Sequence, residues 1–265
     1  MKKQFVTALA TAALVAAPAT AMTATAQAAP APATQAPAAA GLPHSLGLTS
    51  VKNARDLGGY RTANGQTVAT DLVFRTANLA SLSPADAAKL TSLHLTTDVD
   101  LRTAIERTIQ PDRPVAGTAQ QWNDVLGQAN PLDLLNLSGA YVDFVTNPAA
   151  RAAFGKTLKT IGANAAAGKA TLFHCSAGKD RTGWTAAVLL TILGVDRNTV
   201  NQDYLLSNTY NNTTQNDPIN GVNIDWLNAS FNAANQHYGS FDNYVKSGLG
   251  LTAADIASLK HSLLK

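Results

Sequence analysis

The chain has 265 residues, of which 46% are hydrophobic and 14% are charged, and this composition is ordinary for a globular protein with a substantial core. Its formal net charge of +3 at pH 7 is small, and it has no dense block of lysine and arginine with interleaved aromatic residues, which argues against nucleic acid as a partner. The single cysteine, Cys175, cannot form an internal disulfide, so we expect the hydrophobic core to supply the stability.

The first 28 residues have the pattern of a secretory signal peptide. Lys2 and Lys3 precede an apolar run, and the small residues Ala26-Gln27-Ala28 follow as a cleavage site. The apolar run is shorter than the ~20 residues that span a bilayer, and no later stretch reaches that length, so no transmembrane segment is predicted. Residues 29–41 are rich in proline and alanine and predict a linker, which leaves residues 42–265 as one domain of an exported, soluble protein.

The first half of this domain predicts strands and a helix in alternation. A turn at Ala63-Asn64-Gly65 separates two short β-like runs, and residues 72–74 form a compact apolar strand. Ser83 is a suitable N-cap, and Pro84 a suitable first residue, for the helix that follows. Residues 95–101 alternate apolar and polar side chains, as a half-buried strand does. Strand, helix and strand in this order predict an α/β fold with a central, mainly parallel sheet flanked by helices.

The second half predicts further strands within a largely helical region, because proline and glycine mark the ends of several apolar periodic runs. The predicted elements, in chain order, are a short strand within 118–126, two helices within 131–165 separated at Asn147-Pro148, an apolar strand at 170–175, a helix from Thr182 that ends at Gly194, and helices near 196–206, 226–234 and 252–264.

The segment His174-Cys175-Ser176-Ala177-Gly178-Lys179-Asp180-Arg181-Thr182-Gly183 joins the strand at 170–175 to the next helix. A loop in this position directs several backbone N–H groups to one point, and the helix dipole adds partial positive charge there, so the loop is an anion site. The same field favours the thiolate of Cys175 and lowers its pKa from ~8.5 to roughly 3.5–7.5, which makes the thiol a nucleophile at neutral pH.

Other residues of the loop complete a phosphate site. Arg181 offers a planar fork that binds two phosphate oxygens, and the Thr182 hydroxyl can donate to the thiolate. Gly178 allows a backbone conformation that other residues adopt only with strain, and the backbone of residues 176–179 supplies the N–H groups. Together, these groups predict a site that binds a tetrahedral dianion and attacks its phosphorus.

The spacing of His174, Cys175, Arg181 and Thr182 matches HCX5R(S/T) and resembles the signature of the cysteine-dependent protein tyrosine phosphatases. The loop variant, together with residues 53–60 (NARDLGGY), resembles the bacterial exported branch of that superfamily, which includes a secreted mycobacterial enzyme that accepts phosphotyrosine, phosphoserine, phosphothreonine and phosphoinositides. The resemblance extends over nearly the whole mature chain. It implies that residues 42–265 form a tyrosine-phosphatase-like catalytic domain without a metal or other cofactor.

The resemblance also implies the roles of the loop residues. Cys175 attacks phosphorus to form a cysteinyl-phosphate, Arg181 and the loop amides at Ser176, Ala177 and Gly178 hold the phosphate oxygens, and water hydrolyses the intermediate. His174 orients the loop and does not transfer protons.

The chain differs from the familiar tyrosine phosphatases in its general acid. In those enzymes, the aspartate of a Trp-Pro-Asp loop is the general acid, and this sequence has no Trp-Pro-Asp tripeptide. Two candidates remain. Asp180 lies inside the phosphate loop itself. Asp100 ends a predicted parallel strand, at the sheet edge where α/β proteins place their sites.

Five further charged residues are candidates for supporting roles. Lys179 either meets additional phosphates of an inositol lipid or neutralises Asp180. Arg55 and Asp56 either pair with each other or brace the loop from the N-terminal hairpin, and Arg75 and Arg102 are scaffold residues or substrate contacts.

Other catalytic and metal motifs do not occur. The histidines at 44, 94, 174, 237 and 261 have no HExxH spacing, and neither a GxSxG elbow nor a Walker loop is present, so no metal site is predicted.

The expected function is hydrolysis of phosphotyrosine in a protein or peptide, extending to phosphoserine or phosphothreonine, with a phosphoinositide phosphatase as the alternative. A catalytically dead phospho-ligand-binding module is the alternative of another class, but it would require loss of Cys175, Arg181 or Thr182, all of which are present.

Overall fold

A computed structural model of the chain describes residues 42–127, 137–217 and 219–265. The predicted signal peptide at 1–28 and the predicted linker at 29–41 lie outside these residues, as does the start of the first helix predicted within 131–165. In the described residues, no helix is long and apolar enough to cross a membrane.

Five strands form a single sheet in the order β1-β2-β5-β3-β4, in which β1 is antiparallel to β2 and all the other pairs are parallel. The strands are β1 (Arg55–Asp56), β2 (Val73–Thr76), β3 (Leu95–Asp100), β4 (Ala119–Trp122) and β5 (Ala170–His174). This mostly parallel sheet confirms the predicted fold class.

Helices follow most of the strands and cover the sheet. They are α1 (Pro84–Ser92), α2 (Ala104–Ile109), α3 (Leu137–Thr146), α4 (Pro148–Ala166), α5 (Arg181–Leu193), α6 (Arg197–Tyr210), α7 (Ile224–Tyr238), α8 (Phe241–Asn243), which continues into a π-helical turn (Tyr244–Gly248), and α9 (Ala253–Leu263).

Most predicted elements are present, for the local reasons that predicted them. The Ser83 hydroxyl accepts from the N–H of Asp86 at the start of α1, and Gly194, with φ 87°, ends α5. The short strand predicted within 118–126 is β4, at Ala119–Trp122. Two elements were not predicted: α2, a short helix whose apolar residues Ile105 and Ile109 are exposed, and the α8 segment with its π-helical turn.

The central strand β5 positions the site. Its five residues are all buried, because β2 and β3 flank it and both faces of the sheet are covered. Phe173 packs in the core formed with α3–α7 and α9, while Leu172 packs in a second core with α1 and the N-terminal segment. In the sheet register, His174 lies opposite Thr76 on one side and Asp100 on the other. The carboxyl ends of three strands therefore meet next to Cys175.

Candidate active site

The phosphate loop, defined here as residues 175–180, runs from the end of β5 to the first residue of α5, Arg181. Almost every residue of α5 is buried, so the helix is fixed beneath the loop. A loop that enters a buried helix from a buried strand has both ends anchored. The predicted strand, loop and helix are thus found at the predicted place.

The carbonyl groups of the loop are held on its outer side. Asn78 Nδ2 donates to Ser176 O at 2.8 Å, while Asn53 Nδ2 and Arg75 Nη2 donate to Gly178 O at 2.7 and 3.0 Å. In a trans peptide, the N–H points opposite to the C=O. The N–H group that follows each held carbonyl therefore faces the inside of the loop, which is how the backbone presents converging donors to an anion.

Gly178 is required at its position. Its φ is 65°, in the left-handed region that glycine tolerates, and a Cβ there would lie 2.4 Å from Thr76 O. The loop thus passes too close to the end of β2 for any residue with a side chain at position 178. This agrees with the prediction that Gly178 adopts a backbone conformation that other residues adopt only with strain.

Cys175 ends the strand with only 2% of its surface exposed. Burial alone would raise the pKa of its thiol, but the Arg181 guanidinium and the Thr182 hydroxyl lower it by more, so the pKa lies below its ordinary value. The Thr182 hydroxyl is fully buried and has no other hydrogen-bond partner in the described part of the chain. Both side chains therefore stabilise the thiolate, as predicted.

Arg181 is held by a residue that the sequence did not single out. Its Nη1 lies 2.8 Å from Glu106 Oε2 and its Nη2 lies 2.6 Å from Glu106 Oε1, a two-pronged ion pair. Ser176 Oγ donates to the same carboxylate at 2.5 Å. Burial would raise the pKa of Glu106, but the Arg181 pair lowers it well below its usual range, so the carboxylate stays ionised. Nη1 also lies 3.5 Å from Leu101 O, and Nη2 lies 3.3 Å from Ser176 Oγ. A guanidinium has five N–H donors, so among the described residues Nε is the donor left for a phosphate oxygen.

A buried ionic cluster supports the loop from beneath. Asp203 accepts from Arg55 Nε at 3.0 Å, from Arg75 Nη1 at 2.6 Å and from Tyr60 Oη at 3.0 Å. Burial raises the pKa of Asp203, but the two arginines outweigh it and bring the pKa down to about 2. Two buried guanidinium groups share one carboxylate, and this leaves net positive charge below the phosphate loop.

The cluster decides between the two alternatives predicted for Arg55 and Asp56. They do not pair with each other: Asp56 accepts from the N–H groups of Gly58 and Asp71, at 2.8 and 2.7 Å, and fixes a turn of the N-terminal hairpin. Arg55 does brace the loop, since it donates to Asn53, the residue whose side chain holds Gly178 O.

His174 is fully buried among carboxylates. Its Nε2 lies 3.3 Å from Asp98 Oδ1 and 3.4 Å from Asp112 Oδ2, and its Nδ1 lies 3.2 Å from Cys175 O. Burial lowers the pKa of His174, but Asp98 and its neighbours raise it to about 9 overall. The ring is therefore protonated at neutral pH and orients the loop through Cys175 O.

Asp98, Asp112 and His174 also form a donor set of a kind that binds metals, with one ligand atom from each within 4.8 Å of the others. In this structure the raised pKa of His174 favours the protonated ring, which forms ion pairs with both carboxylates.

Asp100 lies at the carboxyl edge of the sheet, as predicted, but its carboxylate is engaged by Arg102. Oδ1 accepts from the backbone N and from Nε of Arg102, both at 2.9 Å, and Oδ2 accepts from Nη2 at 2.8 Å. Burial raises the pKa of Asp100, but the Arg102 hydrogen bonds lower it by more. Arg102 occupies both oxygens of Asp100, and only 4% of this side chain is exposed, whereas 22% of the Asp180 side chain is exposed. The geometry therefore disfavours Asp100 as the general acid. Arg102 is likewise a scaffold residue.

Asp180 and Lys179 face each other above the start of α5. Lys179 Nζ lies 3.0 Å from Asp180 Oδ1 and 2.9 Å from Oδ2, and it is 5.6 Å from the ring centre of Trp226. Only 4% of Lys179 is exposed. Lys179 is therefore not a cation on the rim that could meet further phosphates. Of its two predicted roles, neutralising Asp180 is the one that the geometry supports.

These features define a cysteine-dependent phosphatase: a thiolate of lowered pKa, an arginine fork and inward backbone amides at the carboxyl end of a parallel strand. The chain belongs to the tyrosine phosphatase family, whose family model matches residues 46–265.

Two relatives named as phosphatases agree with the family. The chain is 33% identical over 245 residues to a Cupriavidus necator protein provisionally named tyrosine-protein phosphatase, covering 80% of this chain and 87% of that protein. It is 27% identical over 155 residues to the triple specificity protein phosphatase PtpB of Mycobacterium tuberculosis, covering 48% of this chain and 54% of PtpB. A crystal structure of P. aeruginosa TpbA in complex with pTyr aligns with a TM-score of 0.40 and 14% identity. The alignment covers 71% of this chain and 91% of the TpbA chain.

Several site residues were missed by the sequence analysis. Glu106 and Asp203 had no assigned role, and neither had Asn53, although it lies in the quoted motif. The segment Thr103-Ala-Ile-Glu106 does match a helix capping box, and this signal would have predicted α2 and drawn attention to Glu106. No local pattern points to Asp203, which reaches the site from the middle of α6.

Proposed function

We propose that the protein is an exported phosphatase that hydrolyses phosphotyrosine in proteins or peptides through a cysteinyl-phosphate intermediate. The observation that carries this proposal is the Cys175 thiol of lowered pKa, which stands at the end of β5 within a loop whose amides converge and beside the Arg181 guanidinium. The charged N-terminus, apolar run and small-residue triplet of residues 1–28 support export.

In the first step, the Cys175 thiolate attacks phosphorus. An S–P bond forms and the P–O bond to the tyrosine oxygen breaks, while Asp180 gives its proton to the departing oxygen. The loop amides and Nε of Arg181 bind the non-bridging oxygens, where negative charge is greatest. The positive charge of the Arg55 and Arg75 cluster stabilises the same charge from below.

In the second step, water attacks the cysteinyl-phosphate. Asp180, now ionised, accepts a proton from the water, the P–S bond breaks, and the Cys175 thiolate is restored. The net reaction consumes one water and releases the alcohol and inorganic phosphate. Thr182 donates its buried hydroxyl to the sulfur, which stabilises the thiolate as the leaving group of this step.

Phosphotyrosine is the substrate class that we favour, because the relatives are named as tyrosine phosphatases. The name of PtpB as a triple specificity phosphatase leaves phosphoserine, phosphothreonine and other phosphoesters as further substrates to test. The feature that suggested inositol lipids was a free Lys179 cation. In the structure, Lys179 is buried against Asp180, so nothing in the site favours a lipid headgroup over a peptide.

The test is hydrolysis of a phosphotyrosine peptide and of p-nitrophenyl phosphate by residues 29–265, beside Cys175→Ser, with and without a chelator. We expect turnover that resists the chelator and is lost in Cys175→Ser. Acid quenching during turnover, followed by mass spectrometry, should find one phosphate on the peptide that contains Cys175. Turnover on inositol lipids alone would move the assignment to a lipid phosphatase. Tight binding of the peptide without turnover would support the binding module.

Export is tested separately, by expressing the full chain in a bacterial host and comparing the culture medium with the cells. We expect a shortened chain that begins near residue 29 outside the cytoplasm. A full-length product that stays in the cytoplasm would contradict export and leave the catalytic proposal intact.

A further inference from the structure

Asp180 does not follow the local rule for its position. It stands at the N-cap of α5, where an aspartate side chain normally accepts from a backbone N–H of the first turn, but its side chain makes no capping hydrogen bond. Its Oδ1 instead accepts from the hydroxyl of Tyr141, at 3.0 Å, and from Lys179. The Asp180 carboxylate thus does not cap its own helix and is instead bound by Tyr141 of α3. A departure of this kind from the local rule indicates a functional role for the carboxylate.

The hydroxyl of Tyr141 is fixed in place. Tyr141 is fully buried in α3, and its ring packs against Phe144 and Trp226, with ring centres 5.0 and 6.2 Å away. Its Oη lies 2.7 Å from Oη of Tyr204, a second fully buried tyrosine, on α6. Residues from α3, α6 and α7 therefore determine where this hydroxyl lies.

The directions of these hydrogen bonds follow from valence. A hydroxyl has one hydrogen. When Tyr141 donates it to Asp180, Tyr204 must be the donor in the bond between the two tyrosines. Burial raises the pKa of both tyrosines well above the ordinary value, so both hydroxyls keep their hydrogens. The result is a directed chain from Tyr204 through Tyr141 to Oδ1 of Asp180.

We infer that Tyr141, supported by Tyr204, is the positioning residue for the general acid Asp180. Oδ1 accepts from both Tyr141 and Lys179, whereas Oδ2, among the described residues, faces Lys179 alone, at 2.9 Å. The proton of the acid form is therefore carried by Oδ2, and the bond from Tyr141 prevents rotation of the carboxyl group. During attack by Cys175, the P–O bond breaks and the proton passes from Oδ2 to the departing oxygen. Tyr141 forms and breaks no covalent bond. This inference rests on the proposed function, since it assigns a role within that reaction.

The inference predicts a particular pattern of substrate dependence. A leaving group of high pKa, such as the phenol of tyrosine at ~10, needs the proton as the P–O bond breaks, whereas an electron-poor phenolate can leave without it. Loss of acid orientation should therefore slow the first kind of substrate and spare the second. A residue that supported only the fold would affect both kinds alike.

The experiment measures kcat/KM for a series of aryl phosphates with phenols of increasing pKa, from p-nitrophenyl phosphate to phenyl phosphate, with wild type, Tyr141→Phe and Tyr204→Phe. For Tyr141→Phe we expect a loss of about 10-fold or more on phenyl phosphate and less than about twofold on p-nitrophenyl phosphate. Tyr204→Phe should show the same trend at smaller amplitude. Tyr210→Phe is the matched control, because its hydroxyl bonds Pro43 O and contacts no residue of this chain of hydrogen bonds.

A double-mutant cycle shows whether Tyr141 acts through Asp180. In an Asp180→Asn background, adding Tyr141→Phe should change kcat/KM on phenyl phosphate by less than about twofold, because the group that Tyr141 positions is gone. Equal losses on all substrates, or losses that simply add in the double variant, would overturn the inference. Absence of wild-type turnover on the whole series would instead count against the proposed function, so the two failures are distinguishable.

Discussion

Glu106 and Arg181 form a two-pronged ion pair beside the phosphate loop, with 2.8 and 2.6 Å between the paired atoms. Glu106 is also the third residue of α2, where its carboxylate accepts from the backbone N–H of Thr103 and closes a capping box. The carboxylate of Glu106 thus caps the N-terminus of α2 and also orients the phosphate-binding guanidinium of Arg181. The two roles link α2, which no apolar pattern predicted, to the chemistry of the site.

Glu106→Gln is expected to lower kcat/KM on a phosphotyrosine peptide by about 10- to 100-fold, because Arg181 loses the charged partner that fixes its plane. Glutamine still closes a capping box, so α2 is retained. Thr108→Ala, on the same helix, should leave kinetics unchanged. A Glu106→Gln enzyme with wild-type kcat/KM would mean that Ser176 and the backbone hold Arg181 well enough without the ion pair.

Asp203→Asn is expected to be strongly destabilising. It leaves the two fully buried guanidinium groups of Arg55 and Arg75 without their carboxylate, and breaking a buried ion pair in this way costs roughly 3–5 kcal/mol. The unfolding temperature should fall on the order of 10 °C. Ser207→Ala is the control, because its hydroxyl lies 3.4 Å from both arginines and carries no charge. Equal unfolding temperatures for the two variants would contradict a structural role for the Asp203 charge.

The sequence predicted features whose cause is local. The serine cap and proline of α1, the glycine that ends α5 and the spacing of the phosphate loop all depend on neighbouring residues, so a short window contains the signal. The positions of Cys175, Arg181 and Thr182 along the chain are themselves enough to predict the nucleophile, the arginine and the hydroxyl of the site. The fold class followed from the alternation of strands and helices.

The residues that hold the loop could not be predicted in this way. Glu106 is 75 residues from Arg181, and Asp203 is 148 residues from Arg55, so only the folded chain brings them together. The choice between pairing and bracing, left open for Arg55 and Asp56, could not be made from the sequence for the same reason. Adjacent strand residues point to opposite faces of the sheet, and each finds its partner elsewhere. One of the two alternatives for Lys179 placed it on the loop rim, but it is buried against Asp180 and the ring of Trp226 in α7.

Asp180→Asn is expected to lower kcat on a phosphotyrosine peptide by ~10²- to 10⁴-fold, because the amide cannot give a proton to the leaving oxygen. Asp100→Asn removes a charge that pairs with Arg102 and should mainly reduce stability. The comparison needs kcat for both variants under conditions where each is folded. A larger loss of kcat in Asp100→Asn than in Asp180→Asn would reverse the assignment of the acid.

Peroxide is expected to inactivate the enzyme. The thiolate is the form that oxidises, and its fraction is increased by the lowered pKa of Cys175. The chain has no second cysteine to form an internal disulfide, so a thiol reductant should restore activity only while oxidation remains at the sulfenic acid stage. Inorganic phosphate should slow inactivation by occupying the loop. Activity that survives peroxide would contradict the lowered pKa.

His174 is expected to make stability depend on pH. Burial lowers its pKa, but Asp98 and the neighbouring carboxylates of Asp100 and Asp112 raise it from 6.5 to about 9 overall. A folded pKa above the unfolded one means that the stabilisation is complete below pH 6.5 and is lost as pH rises to about 9. The shift corresponds to about 3 kcal/mol.

The measurement is the free energy of unfolding by urea between pH 6 and 10, in a Cys175→Ser background that removes the titration of the thiol. The parent protein should lose stability steadily above pH 6.5, whereas His174→Gln should start lower and show little slope, because glutamine does not titrate. His261→Gln, at an exposed position on α9, should keep the parent slope. If His174→Gln kept the same slope as the parent, the charge of His174 could not be what holds Asp98 and Asp112 beside the phosphate loop.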